Sequence, residues 1–281
     1  MSAAVLLAAL AACQPAAPVR APGLGDAHRL EAASAFSLLQ MNLCLSGLAD
    51  CFGAAAYPNV VDEAVSRIRA AEPDAVTVNE ACRQDGARIA RRTAYHVRFV
   101  PVHYAGAPLR CVDPGGRGLF GHAVLTRRPI VRSESGAFEA QAELEERRWL
   151  CVSTRRGVDV CTAHLEKPDT SDAEAANEDQ CAELGQVLSH RASRFTLFGG
   201  DVNRQEPCAP PGTWSRTDAA AGQSPGVQHV YGSPTTEPLV VQVLPSVFSD
   251  HDLMLVSARL VRRGDDAATA YEAPGERTDW S

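Results

Sequence analysis

Apolar residues in this chain fall into short dense runs, and between several of them lie stretches whose apolar positions recur every three or four residues. The runs at 36–43, 74–78, 95–102, 121–126, 195–199, 227–231 and 253–260 are rich in Val, Leu and Phe and too short for helices, so each predicts a strand. Val61, Ala64, Val65 and Ile68 share one face of a 3.6-residue repeat, which predicts a helix over 60–71 that ends before Pro73. Further helices are predicted over 86–93 and 173–192, and a hairpin over 148–164 that turns at Arg155, Arg156 and Gly157. Strands and helices mixed in this way predict an α/β domain in which sheets pack face to face under helical layers.

The ends of the chain have a different texture. An apolar run from Ala3 to Ala12 is far shorter than the roughly 20 residues a bilayer span needs, so residues 1–13 are expected to be a processing signal. Leu10, Ala11, Ala12 and Cys13 resemble the lipobox of bacterial lipoproteins, which implies lipidation at Cys13 and membrane attachment through it. No Lys or Arg precedes Arg20, however, and plain secretion is the alternative. Residues 14–34 are rich in Pro and Ala, as a flexible tether would be, and 263–281 form a polar tail. One domain is expected over 35–262, acting as a monomer.

The net charge of −7 supplies no global basic surface. It argues against a constitutive nucleic-acid-binding module, but it leaves room for an enzyme whose bound cations provide local positive charge. Nine cysteines are many for this length, and with Cys13 lipidated an even number remains, as disulfides in an oxidising compartment would require. If Thr154 faces Val158 across the hairpin turn, Cys151 faces Cys161 at a separation that a disulfide can bridge. Sequence proximity pairs Cys44 with Cys51, Cys82 with Cys111 and Cys181 with Cys208; free buried thiols are the alternative.

Candidate chemistry lies where apolar runs end. The strand starting at Phe195 runs through Gly199 and Gly200 to Asp201 and Asn203, two side chains that strand alternation would point the same way, with the glycines allowing close approach of a ligand. Asn42, Glu80 and His164 end other runs, and Ser249, Asp250 and His251 stand just before the last one. Each has a structural reading of its own, as a turn cap, a surface acid or a core histidine. Strands of a single core that all end in acids, amides and histidines are expected to line one rim, where active sites are grafted.

The ordered set resembles the DNase I-like endonuclease/exonuclease/phosphatase superfamily. It comprises a strand ending at Asn42, a Pro73–Asp74 strand ending at Glu80, Gly121 and Ala123 in a third strand, Thr162 and His164, Gly200 with Asp201 and Asn203, and Ser249 with Asp250 and His251. The resemblance implies a four-layered αββα sandwich of two packed mixed sheets. It implies a divalent-metal-dependent phosphodiesterase, with Mg²⁺ (or Mn²⁺ or Ca²⁺) held by Glu80 with Asn42 and Asp250. His164 would stabilise charge at the scissile phosphate, Asp201 or His251 would deprotonate the attacking water, and Asn203 would bond the phosphate or the nucleophile. Arg148 is a candidate phosphate contact, with Arg147 or no arginine as alternatives. The expected substrate is nucleic acid; a lipid or small phosphoester, as in sphingomyelinase-like or inositol-phosphatase-like relatives, and a weakly catalytic binding protein are the alternatives. One departure stands out: Gln228 occupies the place where the family pattern has an Asp that orients the catalytic histidine, so an amide is expected to orient it here, and either activity is reduced, or His229 or another group compensates for the lost charge, or the protein binds without turnover. Asn79 likewise stands where Gln is commoner.

Overall fold

The computed structural model describes residues 35–142 and 144–261. The expected signal at 1–13, the tether at 14–34 and the tail at 263–281 lie outside the described residues. In chain order the elements are β1 (Ala35–Asn42), α1 (Phe52–Ala55), α2 (Asn59–Ala71), β2 (Ala75–Cys82), α3 (Arg83–Thr93), β3 (His96–Pro101), β4 (His103–Tyr104), β5 (Ala107–Pro108), β6 (Phe120–Thr126), β7 (Ile130–Ala137), β8 (Glu145–Glu146), β9 (Arg148–Thr154), β10 (Val158–Ala163), α4 (Ser171–Ser189), β11 (Phe195–Asp201), β12 (Trp214–Thr217), β13 (Gln228–Gly232), β14 (Thr236–Leu244) and β15 (Leu253–Leu260).

Two mixed six-stranded sheets carry the fold. The first has the order β14-β15-β1-β2-β6-β3 and the second β12-β13-β11-β10-β9-β7. At the centre of each lies a parallel pair, β1 with β2 and β10 with β11. Between the sheets, Phe36, Leu38, Val124 and Val256 of the first meet Val152, Val160, Leu197 and Val230 of the second in one buried cluster. On the outer face of the first sheet Val61, Val65 and Ile68 of α2 and Ile89 of α3 bury against Leu39, Val76 and Leu125. Leu184 and Leu188 of α4 pack on Phe198 and Tyr231 of the second sheet. Helix, sheet, sheet and helix therefore form the four layers of a DNase I-like sandwich.

Strand pleating explains why this sequence makes these layers: on β1 the even positions Phe36 and Leu38 face the inter-sheet core while Leu39 and Met41 face the helices. Gly199 and Gly200 do not line a ligand. A Cβ on Gly199 would lie 2.5 Å from the Thr77 hydroxyl, and one on Gly200 would lie 2.4 Å from the Ala163 carbonyl. The glycines instead let β11 press against the opposite sheet and against its neighbour β10.

All four expected disulfides form: Cys44–Cys51, Cys82–Cys111, Cys151–Cys161 and Cys181–Cys208. Cys151 and Cys161 are register partners in the β9–β10 ladder, as the hairpin turn predicted. The apolar runs did not reveal β7, β12 and β14. Most of β7 faces solvent and reads as polar, and β14 carries Pro238 at a bulge, where the missing N–H is tolerated at a sheet edge.

Candidate active site

The two parallel pairs deliver their polar ends to the same rim. In the first sheet Asn42 is in register with Asn79, and the next residue is Glu80; in the second, His164 bridges Asp201 just past the end of β10. The Asn42 side-chain amide joins the sheets, donating to Glu80 Oε1 at 2.8 Å and to Asp201 Oδ2 at 3.0 Å. Its oxygen in turn accepts the backbone N–H of Cys44, so the amide is held from three sides.

Glu80 does not end its strand, as the sequence led us to expect, but sits inside β2. The ladder to β6 jumps from Val78 opposite Ala123 to Ala81 opposite Gly121, so Asn79 and Glu80 together oppose His122. Glu80 takes a left-handed backbone (φ 54°), which an ordinary side chain adopts only under constraint, and the bulge re-aims its carboxylate into the rim. Asp201 and Asn203 converge by another route than pleat alternation. The strand stops at Asp201, Asn203 is left-handed (φ 51°), and its N–H returns to Asp201 Oδ1 at 3.0 Å in an Asx turn. Asn203 Nδ2 lies 3.0 Å from both His164 Nε2 and the Leu165 carbonyl.

His251 completes the cluster, with Nε2 3.4 Å from Asp201 Oδ2 and 3.8 Å from Asp250 Oδ2. Ser249 fixes the approach: its hydroxyl donates to the Asn42 carbonyl and accepts the His251 N–H. His164 Nδ1 lies 3.9 Å from Glu80 Oε1, and its Nε2 lies 3.9 Å from Asp201 Oδ2. Asn42, Glu80, His164, Asp201, Asn203, Asp250 and His251 are thus linked in one cluster at the rim.

Gln228 does not orient His251. Its amide donates to Asp218 Oδ2 and to the Asp252 carbonyl, and its oxygen accepts from Gln40, whose amide also reaches Asn79 Oδ1 at 2.8 Å. His251 Nδ1 is buried without a protein partner. The two unusual amides, Gln228 and Asn79, therefore belong to one ladder that crosses the sandwich and ends on the Asp201 N–H. Nor does His229 compensate, because its ring is buried between the Tyr231 hydroxyl and the Gly226 carbonyl. Arg148 pairs with Glu146, whereas Arg147, one residue away on the opposite face, reaches His164. Adjacent arginines read alike in sequence; Arg147, between β8 and β9, turns to His164, while Arg148 at the start of β9 turns to Glu146. His122, beside the bulge, packs edge-on against His164 with ring centroids 5.8 Å apart, and a lone histidine in an apolar run carried no signal of that neighbour.

Burial raises the Glu80 carboxyl to about 7; the Asn42 hydrogen bond opposes this, while Asp201 and Asp250 add to it. Burial, reinforced by Arg147, holds His164 well below the ordinary histidine range. Burial followed by Arg147 and Arg148 pushes His122 down to about 3. Carboxylates crowded so that one resists ionisation fit a hard cation, and Asp250 Oδ1 is buried with no protein donor. Among the described residues Cys44, Cys51 and Glu80 also gather within 4.8 Å, but the two sulfurs are bonded to each other and offer no thiolate. Glu80, Asn42 and Asp250 offer oxygens of the kind that a hard cation takes.

A two-sheet sandwich with acids, amides and histidines at one rim is the architecture of a phosphoesterase. The chain belongs to the endonuclease/exonuclease/phosphatase family, whose model matches residues 49–251. Members of this family are generally hydrolases of phosphoester bonds and typically use divalent metal ions. Solved structures with the same fold include an endonuclease/exonuclease/phosphatase from Beutenbergia cavernae (20% identity, 81% of this chain and 72% of that one, TM-score 0.62). They also include the human nocturnin catalytic domain with bound sulfate (16%, 82% and 94%, TM-score 0.62) and D. rerio TDP2 complexed with a single-strand DNA product (14%, 80% and 99%, TM-score 0.60). No curated protein sequence matches.

Proposed function

We propose that this chain is an exported, divalent-metal-dependent phosphodiesterase that hydrolyses phosphoester bonds in nucleic acid. The observation that carries the reading is the Asn42 amide, which ties the Glu80 carboxylate of one sheet to the Asp201 carboxylate of the other. A bound Mg²⁺, Mn²⁺ or Ca²⁺ would supply Lewis-acid stabilisation of charge on the phosphoryl oxygens. Glu80, Asn42 and Asp250 would hold it.

The remaining residues act around the phosphorus. Asp201 is buried and accepts N–H bonds from Asn42 and Asn203, which hold its carboxylate at the rim. With His251 3.4 Å away, the Asp201–His251 pair takes the proton of the attacking water as a unit. His164 stays neutral and hydrogen-bonds a phosphoryl oxygen, and Asn203 positions the same group. Preorganised donors of this kind, aimed where charge develops, do most of the catalytic work in phosphoryl transfer.

The nucleic-acid substrate is supported by the DNA product bound to the similar D. rerio TDP2 fold. Export is supported by four disulfides. Among the described residues no helix is long and apolar enough to cross a membrane, and a lipidated Cys13 is the attachment proposed here. The test is hydrolysis of plasmid DNA, RNA and bis-p-nitrophenyl phosphate with and without EDTA. Wild type is expected to be active only with a divalent ion, and His164→Ala is expected to lose about 100-fold or more. Activity that survives EDTA, or a panel that turns over only sphingomyelin or inositol phosphates, would overturn the nuclease reading.

A further inference from the structure

His164 is enclosed by groups that restrict where its ring can carry a proton. Arg147 Nη1 lies 3.3 Å from His164 Nδ1. A guanidinium has five N–H donors, no acceptor, and keeps its charge at any working pH. Arg147 is also clamped: Nη1 lies 2.9 Å from Glu145 and Nη2 3.0 Å from Glu166, with only 9% of the residue exposed. The group facing Nδ1 is therefore a fixed, charged donor that cannot exchange roles.

On the other edge of the ring stands the Asn203 amide, 3.0 Å from Nε2. A neutral imidazole has one donor and one acceptor nitrogen, so the ring cannot accept from both Arg147 and Asn203. An N–H on Nδ1 would point at a buried cation 3.3 Å away, nearer than the Glu80 carboxylate at 3.9 Å. The amide, in contrast, can exchange its oxygen and nitrogen ends at the cost of about one hydrogen bond, here the one to the Leu165 carbonyl. Arg147 wins that competition.

We infer that Arg147 is a positioning residue that locks His164 in the neutral Nε2–H tautomer, turning its proton-bearing edge toward Asn203 and Asp201. The arginine beside the catalytic histidine is thus not a phosphate ligand. Its two terminal nitrogens are engaged by Glu145, Glu166 and the imidazole, its Nε is buried without a protein partner, and it acts on the substrate through His164 alone. This deepens the phosphodiesterase reading and rests on it for the role of His164, whereas the tautomer is a property of the fold that can be measured without turnover.

The test is a long-range proton–nitrogen correlation spectrum of the full chain with ¹⁵N-labelled histidine and no added metal, His164 being assigned by its loss in His164→Gln. Wild type is expected to show a pyridine-like Nδ1 and a pyrrole-like Nε2. Arg147→Met is expected to move both signals toward the averaged positions of a free imidazole, and Arg147→Lys, which restores a charged donor, to bring them back. A pyrrole-like Nδ1 in wild type overturns the inference, and so does a folded Arg147→Met protein with an unchanged spectrum. Should Arg147→Met fail to fold, the wild-type spectrum still decides. In bis-p-nitrophenyl phosphate hydrolysis, Arg147→Met is expected to lower kcat about 10- to 100-fold, part of what a preorganised hydrogen-bond donor contributes, with KM within about twofold. A raised KM with kcat unchanged would make Arg147 a phosphate ligand and overturn the proposal. Absence of all hydrolysis in wild type would sink the phosphodiesterase reading while leaving the tautomer result standing.

Discussion

Gln228 stands where the family pattern places an acid, and its surroundings explain the amide. Its nitrogen lies 3.2 Å from Asp218 Oδ2 and also donates to the Asp252 carbonyl, so a carboxylate here would face another carboxylate and a carbonyl with no proton to offer. Burial already raises the Asp218 carboxyl above its usual range. Gln228→Asp is therefore expected to lower stability by about 1–3 kcal/mol in urea unfolding and to leave hydrolysis no faster than wild type. A variant that is both as stable and more active would show that the buried amide is a defect rather than part of the ladder. The same ladder uses Asn79 together with Gln40 and Thr77, polar side chains that sequence alone had placed in ordinary strands.

β11 illustrates how an element positions chemistry through packing. Gly199 brings the sheets close enough for Asp201 to meet Asn42 from the opposite sheet, and the Asx turn brings Asn203 under His164. Gly199→Ala places a methyl 2.5 Å from the Thr77 hydroxyl, which itself donates to Gln40. We expect it to cost about 1–3 kcal/mol and to reduce metal-dependent hydrolysis, because the sheets must part at the rim. Unchanged stability in denaturant titration would show that the sheets yield without strain. On β2 the bulge has a comparable role, since a regular strand would leave Glu80 one pleat away from the pocket.

Taken together, the site links protonation, metal binding and stability. Glu80, raised to about 7 chiefly by burial, keeps its proton in the folded state over a range where the unfolded chain has lost it. Without metal, the stability of the fold is therefore expected to fall as pH rises from the ordinary carboxylate value toward 7, and to level off above it. A cation needs the ionised form, so its affinity should weaken about tenfold per pH unit below that value. The rise in Tm caused by a fixed Mg²⁺ concentration should thus be larger at pH 8 than at pH 6 and vanish in Glu80→Gln. An ion effect of equal size at both pH values would remove Glu80 from the ligand set.

Much of this was legible in the linear chain. Short apolar runs specify strands because each buries a face on one side or both, and the order of polar residues at their ends carried the family resemblance; the hairpin turn fixed the Cys151–Cys161 register. Solvent-facing β7 has no such signature, because an edge buries too little to need one; β14 does carry an apolar run from Leu239 to Leu244, but Pro238 at its start argues against a strand unless that strand lies at an edge. The bulge at Glu80, the Asx turn at Asn203, the partners of Gln228 and the choice of Arg147 over Arg148 arise only when two sheets close on each other. Their physical cause is nonlocal: a buried polar group must find its hydrogen bond, and its partner lies far away in sequence, with Gln40 and Gln228 188 residues apart.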